Sequence, residues 1–165
     1  MSSLGLDGTI HRSRDEELRE LASDLAATWS PRSLPATVSS WMSRPSILRR
    51  VAEAVAERID GTIDRLIVVG PGAQALASAI SLATGIPFHT ESAHETLGDI
   101  HAGERVSIIS AVSCDYTGTP TGDPASVIQR LSIVAAKQST GDHGDMSLFV
   151  LDDDGALHAL ERSTS

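Results

Sequence analysis

The chain has 165 residues and a formal net charge of −9, from 13 basic and 22 acidic side chains. Its 41% hydrophobic content predicts a folded domain. The acidic balance, with only two Trp, two Phe and one Tyr, argues against nucleic-acid binding. No apolar run reaches the roughly 20 residues needed to cross a bilayer. We therefore expect a cytoplasmic protein without a membrane partner.

The first predicted element is a helix that follows a polar N-terminal segment. Residues 1–12 predict a flexible tail. Ser13 and Glu16 then match a capping box. Apolar residues follow at three- and four-residue spacing, which predicts one buried helical stripe: Leu18, Leu21, Leu25 and Trp29. A Ser/Pro-rich connector over residues 30–46 ends this helix.

The middle of the chain reads as alternating helices and strands. A second helix is predicted from Pro45 to Gly61. Arg65–Val69 is a short unbroken apolar run, typical of a strand covered on both faces. After a tight turn, an Ala/Ser-rich helix is predicted over Ala73–Thr84, and a second strand over Ile86–Thr90. This alternation favours a parallel sheet.

The next segment begins with a polar stretch and returns to apolar patterns. After the polar residues Glu91–Gly103, a third strand is predicted over Arg105–Val112. A Gly/Thr/Pro loop over Ser113–Pro124 leads into a predicted helix, Ala125–Lys137. The helix prediction depends on the spacing of its apolar positions: Val127, Ile128, Leu131, Val134 and Ala135.

The C-terminal part predicts a fourth strand over Ser147–Leu151 and a hairpin partner over Ala156–Leu160. The order of elements predicts a single three-layer α/β domain over residues 13–165, with a mostly parallel central sheet. Ligands of such sheets bind beyond the carboxyl ends of the strands. The loops expected to carry function are those after Val69, Thr90 and Val112.

Several sequence signals occur in a specific order between Pro45 and Leu131. A Pro-capped helix precedes a strand with the text LIVVGPG (Leu66–Gly72), and a small-residue helix then runs into GIPF (Gly85–Phe88). Gly103-Glu-Arg-Val106 introduces the next strand. This order resembles the type I phosphoribosyltransferases, and within them the orotate-type enzymes. The resemblance implies their α/β fold.

The resemblance also implies roles for three groups of residues. The loop that would cradle a 5′-phosphate supplies Thr117, Gly118, Thr119, Thr121 and Gly122. The pyrophosphate-loop position is filled by Gly70, Pro71, Gly72 and Ala73. The position of the acid pair that holds the ribose hydroxyls of phosphoribosyl pyrophosphate is filled by Ser110 and Ala111. Further implications are a phosphorylated small molecule as ligand, a homodimer and, in an active enzyme, Mg²⁺.

The sequence departs from the family at its charged positions. Ser110 and Ala111 supply no carboxylate, although Asp115 is a candidate catalytic replacement. The counterpart of the family's basic hood, Thr90–Asp99, contains three acids and no Lys or Arg. A leaving pyrophosphate carries a charge of about −3 that such a loop cannot offset. The sequence therefore predicts lost or altered phosphoribosyl transfer, with a binding or regulatory role.

Two other functions stay open at this point. A divergent active enzyme would transfer phosphoribosyl to a nucleobase, with Asp115 in the site. A non-catalytic chain would instead dimerise with a true family member. The Thr117–Gly122 loop also has a plainer interpretation, as an ordinary loop before an N-capping Asp123.

Two further features invite a functional interpretation. Cys114 lies beside Asp115, which disfavours the thiolate, so a structural thiol is favoured over a nucleophile. The stretch between residues 89 and 101 is rich in metal-ligand types: His89, Glu91, His94, Glu95, Asp99 and His101. Their spacing fits no compact metal motif, so we predict a solvated acidic loop and no metal site.

Overall fold

The computed structural model describes residues 13–28, 40–92, 94–113, 125–136 and 145–160. In this part of the chain, the long helices are α1 (Arg14–Thr28), α2 (Pro45–Ala56) and α3 (Ala73–Thr84). The strands of the same part are β1 (Arg65–Val69), β2 (Phe88–Glu91), β3 (Thr96–Leu97), β4 (Arg105–Val112), β5 (Ser126–Ala136), β6 (Asp145–Leu151) and β7 (Leu157–Ala159). The predicted tail lies outside the described residues.

The first two helices begin where their sequence signals predict. The Ser13 amide donates to the Glu16 carboxylate at 3.0 Å, and the Glu16 amide donates to Ser13 Oγ at 3.3 Å, so the capping box is confirmed. Pro45 opens α2, as predicted. The α-helix ends at Ala56 rather than near Gly61, and a non-helical turn leads on to β1. Trp29 lies outside the described residues.

All seven strands form one sheet in the order β3-β2-β1-β4-β5-β6-β7. The neighbours from β2 to β6 pair in parallel, whereas β3 and β7 add antiparallel strands at the two sides. The predicted α/β domain with a mostly parallel sheet and a C-terminal hairpin is therefore confirmed. Strand β4 is the middle strand of the seven, and six of its eight residues are buried.

The predicted helix over Ala125–Lys137 is wrong, because this segment forms β5 between β4 and β6. Its apolar positions satisfy helical spacing only because the strand is apolar on both faces. Alternate residues Leu131, Ile133 and Ala135 are buried, and so is Val134 between them. Four β-branched residues favour a strand: Val127, Ile128, Ile133 and Val134. Pairing with two neighbouring strands decided the conformation.

The main core lies between the three helices and one face of the sheet. Helix residues such as Leu25, Val51 and Leu76 pack with Leu66 and Ile109 of the sheet, and all five are fully buried. A smaller cluster on the opposite face is formed by Ile67, Val106 and Ile108. Burial on both faces explains why β1 reads as an unbroken apolar run. None of the described helices is both long and apolar enough to span a bilayer.

Candidate functional site at the carboxyl edge of the sheet

Strands β1, β2 and β4 end side by side, and we call this side of the sheet the carboxyl edge. The parallel register aligns Val68 with Thr90 and Val69 with Ser110. The turn after β1, the hairpin after β2 and the end of β4 are therefore neighbours. Loops at this edge of a parallel sheet usually form the ligand site.

The turn after β1 has a shape that requires glycine at two positions. Gly70 and Gly72 have φ values of +88° and +73°, in the left-handed region. A Cβ on Gly72 would also overlap the Sδ atom of Met42, which packs directly on the turn. Gly72 is the N-cap of α3 and provides no side-chain cap. The Ala73 amide donates to the Gly70 carbonyl at 3.2 Å, so the Gln74 and Ala75 amides are the donors that the first turn of α3 offers at the carboxyl edge.

A carboxylate from the β2–β3 hairpin contacts the first turn of α3. Gln74 Nε2 donates to Glu95 Oε2 at 3.0 Å. The hairpin fixes the backbone of Glu95, because the Ser92 amide donates to the Glu95 carbonyl at 2.8 Å and the Glu95 amide donates to Ser92 Oγ at 3.1 Å. The Glu95 carboxylate therefore accepts a hydrogen bond from the side chain of the second residue of α3.

The fold separates the His/acid-rich stretch into two groups. Glu95 lies at the carboxyl edge, whereas the chain beyond β3 returns to the opposite side of the sheet. There, the His101 amide donates to Glu104 Oε2 at 2.9 Å. Glu104, and more weakly Asp99, raise the pKa of Arg65. Within the described residues, no three His, Cys, Asp or Glu side chains are grouped to hold a metal ion.

The end of β4 offers one hydroxyl and no carboxylate. Ser110 and Ala111 are both buried, 9% and 3% exposed, and point to opposite faces of the strand. Ser110 aligns with Ser132 of β5 on the face away from the helices. Ala111 belongs to the main core. Ser110 offers one neutral acceptor oxygen and Ala111 offers none, so these two positions do not fit the diol of a Mg²⁺-bound phosphoribosyl pyrophosphate, for which the resemblance implies two carboxylates.

The predicted phosphate loop follows the end of β4 in the sequence. Asp115 and the segment 117–122 lie outside the described residues, as does Cys114. Their assignments therefore stay predictions. The structure describes the chain on either side of this segment, where Val112 ends β4 and Ser126 begins β5.

The structure also contains an ion pair, at the opposite side of the sheet, that the sequence did not predict. We call this side, where β1 and β4 begin, the amino edge. Arg65 Nε and Nη2 donate to the two carboxylate oxygens of Glu104 at 2.7 and 2.8 Å. The guanidinium is the main reason that the pKa of Glu104 falls to about 2. An Arg that opens one strand and a Glu that precedes its parallel neighbour are the signal that could have predicted the pair.

A groove away from both edges lies between α1 and β7, with a volume of about 550 Å³. Leu18 and Ala22 line one wall, and Leu157 and Ala159 line the other. Its lining also includes four polar side chains: Asp15, Arg19, Ser23 and His158.

Comparison with known proteins gives different results for sequence and structure. No protein-family model matches the chain, and no curated protein sequence matches it. Solved structures do match. An orotate phosphoribosyltransferase from Mycobacterium tuberculosis, in complex with 5-phospho-alpha-D-ribosyl 1-diphosphate, superposes with a TM-score of 0.60. The match has 17% identity and covers 79% of this chain and 94% of that chain.

Two further structures support the same assignment. An adenine phosphoribosyltransferase from Leishmania donovani matches with a TM-score of 0.58 and 19% identity, over 82% of this chain and 80% of that chain. A phosphoribosyltransferase from Corynebacterium diphtheriae matches with a TM-score of 0.59 and 15% identity, over 82% and 96% of the two chains. The chain has the type I phosphoribosyltransferase fold. The resemblance found in the sequence is confirmed at the level of the fold, since identities below 20% do not establish activity.

Proposed function

We propose that this phosphoribosyltransferase-fold protein binds a phosphorylated small molecule and has lost or altered phosphoribosyl transfer. The observation that carries the proposal is the end of β4. Ser110 and Ala111 stand where the resemblance implies two ribose-binding carboxylates, and Ala111 is buried in the core instead. A methyl group in this position removes the acceptor and leaves nothing that a side-chain rotation can restore.

The distribution of charge supports the loss of transfer. The sequences of the loops after β1, β2 and β4 contain no Lys or Arg. The hairpin after β2 presents Glu91 and Glu95 instead, both exposed. A transition state that releases pyrophosphate accumulates a charge of about −3 on the leaving group, which positioned cations normally stabilise. Acidic side chains in the same place raise the energy of this transition state.

The donors that remain suit a single phosphate better than a diphosphate. The Gln74 and Ala75 amides at the start of α3 are neutral donors. A helix N-terminus stabilises an anion through its backbone dipole without any basic side chain. We therefore assign the turn at residues 70–73 to binding of a phosphate group.

Calorimetry together with a transfer assay tests this function. Ribose 5-phosphate and, with Mg²⁺, phosphoribosyl pyrophosphate are titrated into the protein, and pyrophosphate release is followed with orotate and with adenine. We expect ribose 5-phosphate to bind without any transfer. Pyrophosphate release above background would identify a divergent active enzyme and overturn the proposal, as would the absence of ribose 5-phosphate binding.

Two glycine variants provide a matched control for the turn. Gly72→Ala places a methyl group against Met42, so we expect it to abolish ribose 5-phosphate binding. Gly103→Ala makes the same change at a similar φ of +82°, in a loop at the amino edge with open space around the new methyl. Binding by this second variant should equal that of the parent protein.

A further inference from the structure

We propose that the groove between α1 and β7 binds an extended peptide segment of a partner protein, which carries one acidic side chain and adds to β7 as a further strand. This surface is separate from the carboxyl edge, so the inference does not rest on the proposed function. The groove has a volume of about 550 Å³. It combines the open side of a strand, a largely apolar helix face and an exposed arginine.

The outer side of β7 offers backbone groups for pairing. β7 is the last strand at its side of the described sheet, and there it pairs only with β6. The Leu160 amide donates to the Leu148 carbonyl of β6 at 3.0 Å. Hydrogen bonding alternates along an antiparallel pair, so His158 also faces β6, whereas the amides and carbonyls of Leu157 and Ala159 face away from it. These four groups are the ones that an added strand would bind.

The helix α1 forms the second wall along the whole length of β7. Its lining residues recur at three- and four-residue spacing and so share one helix face: Asp15, Leu18, Arg19, Ala22, Ser23 and Ala26. Five consecutive residues, 156–160, line the other wall. Residues 15–26 of a helix span about 16 Å, which is also the length of about five residues of strand. The groove therefore matches a short extended segment.

Arg19 gives the groove its preference for an acidic residue. Arg14 and Arg50 pair with carboxylates where α1 meets α2. Arg19 is exposed and makes no hydrogen bond or ion pair with the other described residues. A guanidinium binds a carboxylate through two parallel hydrogen bonds. Asp15, one helical turn earlier, disfavours a second acid beside the first. A segment with a single acidic side chain therefore fits best.

A second copy of this chain fits the groove less well than an isolated segment. Pairing of β7 with the β7 of another copy would bring the two α1 helices together across a two-fold axis. Each α1 contains five acidic residues and only two arginines. Two such helices repel each other, whereas a peptide strand brings no helix with it.

Fluorescence anisotropy with synthetic peptides tests the preference for an acid. The probe is a labelled six-residue peptide of alternating valine and threonine with one central glutamate, and the matched probe has glutamine in that place. We expect the full chain to bind the glutamate peptide saturably and about fivefold more tightly than the glutamine peptide. Arg19→Gln should make the two affinities equal. The control Arg49→Gln, at an exposed arginine of α2, should leave the preference unchanged.

A proline in β7 tests the backbone pairing. Ala159→Pro removes an amide that faces away from β6, so the hairpin keeps its own hydrogen bonds, and proline is tolerated on the open side of an edge strand. We expect the variant to bind the glutamate peptide at least about tenfold more weakly. The same loss is expected when the parent protein is titrated with the glutamate peptide carrying N-methyl groups on all its amides, a measurement that needs no variant.

Three results would overturn the inference. The first is no saturable binding of the glutamate peptide by the parent protein. The second is undiminished binding of the N-methylated peptide, which would exclude strand addition. The third comes from analytical ultracentrifugation: a parent dimer that Ala159→Pro dissociates would assign the groove to a second copy of the chain. Equal affinities of the parent protein for the glutamate and glutamine peptides would overturn the role of Arg19.

Discussion

The two edges of the sheet use charge in opposite ways. At the amino edge, Arg65 and Glu104 neutralise each other in a two-bond pair whose side chains are 11% and 16% exposed. At the carboxyl edge, the Glu95 carboxylate accepts from the neutral amide of Gln74, and the neighbouring loop sequences contain no Lys or Arg. Paired charges stabilise the fold at the first edge. Under the proposed function, the acids at the second edge weaken the binding of polyanions.

Under the proposed function, phosphate binding depends on where the cations lie and not on how many the chain contains. The chain has 13 basic residues, which is ample for a phosphate-binding protein. Those that pair closely in the described structure do so at the amino edge or on the helices, as Arg65 and Arg50 do. The following three predictions test the contrast between the edges, in order of decreasing effect.

Ala111→Asp should destabilise the protein most. It restores a carboxylate at the end of β4, but Ala111 is 3% exposed within the main core. A buried, unpaired carboxylate costs several kcal/mol, so we expect the free energy of unfolding to fall by about 4 kcal/mol. Urea denaturation measures the change. The control Ala83→Asp, at an exposed alanine of α3, should change it by less than about 1 kcal/mol.

A stable Ala111→Asp protein would contradict this account of the carboxyl edge. It would show that the end of β4 tolerates a carboxylate. The absence of the acid pair would then reflect a change of side chain and not a change in the packing of the core. In that case, transfer activity of the variant becomes the decisive measurement.

Glu104→Gln should give the second largest effect, at the amino edge. It leaves the largely buried Arg65 guanidinium without its anion, and we expect a loss of about 3 kcal/mol in the free energy of unfolding. The control Glu53→Gln removes an exposed partner of Arg49 at 3.9 Å and should have an effect near zero. Similar losses in both variants would mean that the Arg65–Glu104 pair has no special role.

The pH dependence of stability should report the same pair with a smaller signal. Glu104 has a folded-state pKa of about 2, below its ordinary value of 4.5. A lowered pKa stabilises the fold above pH 4.5, and this contribution is lost as the pH falls towards 2. The difference in unfolding free energy between the parent and Glu104→Gln should therefore shrink from about 3 kcal/mol at pH 6 to near zero at pH 2. A constant difference across this range would rule out titration of Glu104 as its cause.

Local signals in the sequence were sufficient to predict most helices and strands of the described fold. The capping box at Ser13, the proline that opens α2 and the glycine turn between β1 and α3 each act within a few residues, and the structure confirms all three elements. The hairpin of β6 and β7 was also predicted. The β2–β3 hairpin within the polar stretch was not, because two-residue β3 carries too short a pattern to detect.

The error at β5 and the omission of the Arg65–Glu104 pair have one physical cause. Both depend on partners that are distant in the sequence: β5 pairs with β4 and β6, and Arg65 meets Glu104 across 39 positions. An apolar segment that is buried on both faces has no period of its own to choose between helix and strand.

The sequence by itself determined the α/β class, the family resemblance and the absence of acids at Ser110 and Ala111, because composition, turn chemistry and residue identity are local properties. Only the tertiary structure decided which residues share an edge. It separated Glu95 from Asp99, buried Ala111 in the core, and placed the Glu95 carboxylate beside Gln74. These contacts are non-local. They form because parallel strands align their carboxyl ends, and no short segment of the sequence determines that alignment.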